Sequence, residues 1–289
     1  MLKNDEIRIR DPFILPVASE QTYYLFGTTD DNVWEGTATG FDVYTSKDLT
    51  NWDGPYPAYR PYKNFWADRH FWAPEVYFYQ GRYYMFASFK SEDRCRGTQV
   101  LVADKPVGPF TLLTDDPVTP KDWECLDGTL YIDELDNPWM IFCHEWLQIE
   151  DGTICAIPLS SCLSKASGEP VTLFSASNAK WTRGDKNYVT DGPYLYKNSQ
   201  GVLLMLWSSI GDNGYAIGIS RSTTGSILGP WDHDETPLFG ENGGHGMLFR
   251  SFQDELLLTI HSPNRSPNER PVLFSVKEES GTLVLGEQR

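Results

Sequence analysis

Five times along this chain a short apolar run is answered, across a polar break, by a second one. DPFILP precedes TYYLFGTT, and APEVYFY meets RYYMFASF across Gln80-Gly81. DGTLYIDE meets PWMIFCHEW, DGPYLYK meets VLLMLWSS, and HGMLFRSF meets ELLLTIHS. The runs are rich in Tyr, Phe, Val, Ile and Leu. They show no sustained helical period and end at Gly, Asn, Asp or Pro, so they read as β-hairpins. The hairpins start at Asp11, Ala73, Asp127, Asp191 and His245, at intervals of 62, 54, 64 and 54 residues. Further strand-like sequence follows each one, as in FDVYTS, TQVLVAD and YAIGISRS. A recurring unit of three to four strands is the pattern of a β-propeller. Five units fill residues 1–289, which predicts an all-β, five-bladed propeller as one domain. A β-sandwich is the alternative, but it gives no reason for one hairpin to recur five times.

The remaining totals exclude several partners. Asp plus Glu outnumber Lys plus Arg by 40 to 24, for a net charge of −16. No basic cluster interrupts this, so neither nucleic acid nor an anionic membrane is an expected partner. No window approaches 18 apolar residues, and MLKNDEIRIRDP lacks the apolar core of a signal peptide. The expectation from this start is a cytoplasmic protein. The five cysteines are odd in number and lack CxxC spacing, so a zinc site or disulfide framework is not expected.

In a propeller the innermost strands all run the same way around the axis, so their first residues converge on one face. Asp11, Asp127 and Asp191 thereby become neighbours. Three carboxyl groups in one pocket repel one another and spread their pKa values. The second strands return to that face, which predicts His144 and Glu145 near the same pocket. Trp72, just before the second inner strand, is expected in the wall, where an aromatic face stacks on sugar C–H groups. Phe13 and Trp34 are further aromatic candidates. Arg10 is expected to point away and form an ion pair, because neighbouring strand residues alternate.

At these residues the chain resembles glycoside hydrolase family 43. The motifs are RDPFI, Trp72-Ala73-Pro74-Glu75, Leu126-Asp127-Gly128, Thr190-Asp191-Gly192-Pro193 and Gly244-His245-Gly246, in order and at blade spacing. The resemblance implies inverting hydrolysis of arabinose or xylose linkages in an oligosaccharide. Asp11 would be the general base, and Asp127 the residue that orients the acid and adjusts its pKa. The family usually carries a glutamate as acid where this chain has Asp191. Asp191 is therefore the first candidate acid and Glu145 the second, the alternative for Glu145 being a rim residue paired with an arginine. Arg270 would bind sugar hydroxyls. His245 would support a calcium or sodium ion in the central channel, and no organic cofactor is implied. The activity expected is that of an exo-acting α-L-arabinofuranosidase or β-xylosidase. An endo-arabinanase and an inactive sugar-binding propeller are the rivals, and the oligomeric state stays open.

Overall fold

Each hairpin read from the sequence is the inner pair of a four-stranded antiparallel sheet in the computed structural model, which describes residues 1–289. Blade 1 holds β1 (Arg10–Val17), β2 (Thr22–Thr28), β3 (Phe41–Ser46) and β4 (Trp52–Tyr59). Blade 2 holds β5 (Arg69–Tyr79), β6 (Arg82–Lys90), β7 (Gly97–Ala103) and β8 (Thr111–Leu112). Blade 3 holds β9 (Cys125–Ile132), β10 (Pro138–His144), β11 (Thr153–Pro158) and β12 (Val171–Ser175), with the short helix α1 (Trp146–Ile149) after β10. Blade 4 holds β13 (Asp191–Lys197), β14 (Leu203–Gly211), β15 (Gly214–Ser222) and β16 (Trp231–His233). Blade 5 holds β17 (Gly244–Arg250), β18 (Leu256–Ser262), β19 (Arg270–Glu279) and β20 (Thr282–Gln288). Five separate four-stranded sheets make this a five-bladed propeller and exclude the sandwich. No helix is long and apolar enough to cross a membrane.

Local chemistry places the turns. Gln80 and Gly81 both take positive φ, and Tyr79 pairs with Arg82 across them. That is the backbone of a type I′ hairpin, whose twist matches the strands it joins. The apolar runs are buried because each blade is covered on both faces. The core therefore lies between blades rather than at one centre. Phe41, Tyr59, Phe71 and Phe89 belong to the largest cluster, and Trp181, Trp207 and Trp231 to the one that spans blades 3 and 4.

No strand is exchanged between the first and last blades, so side-chain and loop contacts close the ring. Ile9 N–H donates to Glu269 O, and Phe252 N–H donates to the Tyr23 hydroxyl. Arg10 Nη1 meets Glu269 Oε1 at 2.9 Å, with Glu269 wholly buried.

Candidate active site

In every inner strand the pairing slips by one residue at the same place. Arg10 pairs with Thr28 but Phe13 with Phe26; Trp72 with Ser88 but Glu75 with Phe86. Leu126 pairs with Cys143 but Thr129 with Ile141; Asp191 with Ser208 but Tyr194 with Leu206; Gly244 with His261 but Met247 with Thr259. Two residues oppose one at each slip, which is a β-bulge. The first bulged residue is left-handed in all five blades: Asp11 (φ 54°), Ala73 (47°), Asp127 (56°), Gly192 (49°) and His245 (48°). Such backbone costs a residue with a Cβ on the order of 1–2 kcal/mol. Backbone strain gathered in this way marks functional sites more often than framework.

The bulge lets two successive side chains face one pocket, and this corrects two expectations. Asp191 does not share the register of Asp11 and Asp127, because Gly192 holds that position. Asp191 instead corresponds to Arg10, Trp72 and Leu126, and all four line the same cavity. Arg10 therefore faces the pocket, since strict alternation fails at a bulge. It also makes the expected ion pair, to Glu269, and its guanidinium lies 4.9 Å over the Trp34 ring.

The cavity measures about 370 Å³, and every blade contributes to its wall. Asp11, Asp127, Asp191 and His245 stand around the axis. Trp34, His70, Trp72, Arg96, Glu145, Tyr215 and Asn264 are among those that form the sides. A larger cavity of about 750 Å³ lies at the seam of the first and last blades and holds none of the three axial aspartates.

The environments of the carboxyl groups drive them apart. Asp11 accepts the Thr28 hydroxyl at 2.6 Å and lies 3.1 Å from His245 Nδ1. Burial alone would raise its pKa. His245, Arg10, His261 and the Thr28 hydroxyl outweigh burial and hold it below the ordinary value. Asp11 N–H donates to His261 Nδ1 at 3.1 Å, so the proton of that neutral ring sits on Nε2, facing Asn264 Oδ1. Burial lowers the His261 pKa to about 4 and also lowers that of His245. Burial, then the charges of Asp191 and Asp11, push Asp127 well above the ordinary range. Burial pushes Asp191 up to about 7, against a hydrogen bond that the Tyr215 hydroxyl donates at 2.9 Å. The pocket thus pairs a carboxyl kept ionised, Asp11, with two whose pKa values are raised, Asp127 and Asp191. This is the pairing acid–base chemistry requires.

Other expected site residues fall into two groups. Trp72 lines the pocket, donates its indole N–H to Val33 O at 2.7 Å and stacks on His70. Glu145 also lines it, but its carboxylate is bound to the buried Arg96 guanidinium. Burial raises its pKa while Arg96 pulls the other way. Three residues lie outside the pocket. Phe13 is buried in the channel below the acids, edge-on to Tyr77. His144 stacks on Trp123 and bonds Gln148, because Cys143, one residue earlier, is the one aligned with Thr28 and Ser88. Arg270 starts the third strand of its blade, two strand spacings of about 4.8 Å from the pocket-lining strand. It caps the carbonyls of Asp5, Pro267 and Glu269 and borders the seam cavity.

His245 stands buried at the axis beside Asp11. Its Nδ1 serves Asp11, and a Cβ on Gly192 would stand 2.6 Å from its Cδ2 and 2.9 Å from its Nε2. No three His, Cys, Asp or Glu side chains are grouped to ligate an ion directly.

Sequence reading missed Arg96, Tyr215 and His70. Arg96 binds Glu145 and His70 Nδ1, and His70 Nε2 reaches Trp34 O at 2.9 Å. Arg96 and Tyr215 lie off the inner strands, and His70 lies on β5 ahead of the repeated motif, so the repeat carried no signal for them.

A carboxylate pair with separated pKa values at the axial mouth of a five-bladed propeller defines the site of a glycosidase. The chain belongs to glycosyl hydrolases family 43, whose model matches residues 6–275. It is a glycoside hydrolase, and its substrate is a carbohydrate. An endo-arabinase from Bacteroides thetaiotaomicron VPI-5482 is 40% identical, with a TM-score of 0.90 covering 97% of this chain and 98% of that one. A thermostable family-43 glycoside hydrolase is 25% identical, with a TM-score of 0.84 covering 96% and 93%. An extracellular exo-α-(1→5)-L-arabinofuranosidase of Cellvibrio japonicus (strain Ueda107) is 24% identical over 269 residues. The match covers 85% of this chain and 72% of that protein. That extracellular relative overturns the expectation of a cytoplasmic enzyme, which had rested on the first residues of the sequence and on its unpatterned cysteines.

Proposed function

We infer that this enzyme removes pentose units, arabinofuranose or xylose, from the end of a glycan with inversion at the anomeric carbon. As with the Cellvibrio relative, it would work outside the cytoplasm. The observation that supports the exo reading is the small size of the site, beside the exo-acting Cellvibrio relative. A cavity of about 370 Å³ is walled by residues of all five blades. It lies near the lower end of the roughly 300–1,000 Å³ typical of small-ligand sites. A site of this size suits a single terminal unit, whereas cleavage within a chain needs binding positions on both sides of the scissile bond.

Asp11, held ionised, would take a proton from the attacking water. Asp191, protonated near neutrality, would donate to the leaving oxygen. Asp127 accepts Gly192 N–H at 3.0 Å and so fixes the peptide that follows the acid. Glu145 is less suited to donate, because its carboxylate is engaged by Arg96. Trp34 and Trp72 would offer apolar faces or edges to the sugar.

The 40%-identical endo-arabinase supports a second reading, cleavage within arabinan. Incubation with linear α-1,5-arabino-oligosaccharides and xylo-oligosaccharides separates the two. Monosaccharide alone from the earliest times supports exo action, and a ladder of shorter oligomers supports endo action. Anomeric NMR of the first product reads the stereochemistry, and a retained configuration would overturn inversion. No turnover on either series would overturn both readings.

A further inference from the structure

The left-handed residue of each inner strand donates its backbone N–H to a side chain, and the acceptor follows a rule with one exception. Ala73 N–H goes to Thr28 Oγ1, Asp127 N–H to Ser88 Oγ, His245 N–H to Ser208 Oγ and Asp11 N–H to His261 Nδ1. In each case the acceptor sits on the second strand of the preceding blade, opposite the residue just before the bulge. The ring of acceptors therefore runs Thr28, Ser88, Cys143, Ser208, His261, with Cys143 in the blade 3 position, opposite Leu126. There the rule breaks: Gly192 N–H bonds Asp127 Oδ2 at 3.0 Å. A thiol sulfur is a weak acceptor, and a carboxyl oxygen, ionised or protonated, is a stronger one.

We propose that Cys143 is a positioning residue, whose poor accepting power leaves Gly192 N–H free to tie the acid's strand to Asp127. A hydroxyl at this place, as in three of the other four blades, would compete for that N–H. Asp127 would then lose its hold on the peptide next to Asp191. The effect on catalysis rests on the reading of Asp191 as general acid; the competition for the N–H does not.

The buried, well-packed Cys143 is tested with C143S and C143A. C143S is nearly isosteric and adds a competing acceptor, while C143A leaves a small void and no acceptor. A packing role predicts that C143A is the worse variant. The positioning role predicts the reverse order. C143S should lower kcat by about 10- to 100-fold on substrates with poor leaving groups, the scale of a misplaced reacting group. Its KM should stay near wild type, and C143A should keep most of the activity. Equal activity of C143S and wild type, or greater damage in C143A, overturns the proposal. If the wild type turns over no glycoside, the functional reading fails by itself, and a crystal structure of C143S still decides the point. Gly192 N–H on the introduced hydroxyl upholds the proposal, and Gly192 N–H still on Asp127 overturns it.

Discussion

Two rings of side chains lie one above the other on the same five strands, and they differ in almost every respect. The upper ring is Asp11, Ala73, Asp127, Gly192 and His245, all left-handed and bulged. The lower ring, two residues on, is Phe13, Glu75, Thr129, Tyr194 and Met247, where pairing is regular again. Below, Phe13 packs on Tyr77, and the Tyr194 hydroxyl donates to Leu248 O. The carboxyl of the lower ring, Glu75, is pushed up to about 7 by burial and bonded to the Tyr77 hydroxyl. Strain and the carboxyl held ionised, Asp11, thus sit together at the mouth, and regular packing lies beneath. The lesson is that the strained ring is tolerable because the rest of each strand over-determines it.

The largest test removes charge from the upper ring alone. Asp11→Asn should lower kcat by roughly 10²–10⁴, the scale of a lost general base, with little change in thermal midpoint. Near wild-type turnover would sink its assignment. Asp191→Asn should cost a similar factor on substrates with poor leaving groups and far less on an activated aryl glycoside. If Glu145→Gln shows that dependence instead, the acid is Glu145.

Backbone strain can be raised at one position and relieved at another. Gly192→Ala places a Cβ at φ 49°, 2.6 Å from His245 Cδ2. It should lose about 1–3 kcal/mol in denaturant unfolding and lower kcat as the imidazole is displaced from Asp11. Ala73→Gly relaxes the same conformation where no chemistry depends on it. Strain relief and chain entropy should leave its stability within about 1 kcal/mol of wild type. Equal losses in both variants would deny the ring its special character.

The pH–rate profile comes next in size. Asp11 must be ionised, so activity is lost only as pH falls through its depressed pKa. Asp191 must be protonated, so activity is lost as pH rises through about 7. The Tyr215 hydroxyl stabilises the charged form of Asp191. Tyr215→Phe should therefore move the alkaline limb upward, by roughly one pH unit for a hydrogen bond worth about 1.5 kcal/mol. A downward move would contradict the assignment. The smallest change belongs to the lower ring. Phe13→Leu should cost under about 1.5 kcal/mol if the channel repacks, with kcat and KM unchanged. A large fall in kcat would place Phe13 back in the site.

The sequence by itself determined the five hairpins, their order and the propeller they imply. Strand periodicity and turn chemistry act over a few residues, and the repeat writes them five times. It also determined that Asp11 and Asp127 share a register, and that Trp72 adjoins them. The tertiary structure decided what depends on closing the ring. Strand pairing put Gly192, not Asp191, in that register, and the bulge shared by all five strands turned Arg10 inward. Pairing with Leu126 put Cys143, not His144, in the ring of acceptors. Arg96 and Tyr215 reach the pocket from β6–β7 and β15, where no repeat marks them, and Arg270 turned instead to the seam. These outcomes follow from hydrogen bonds between blades, formed by residues far apart in the chain. A local pattern cannot encode a partner that only ring closure brings within reach.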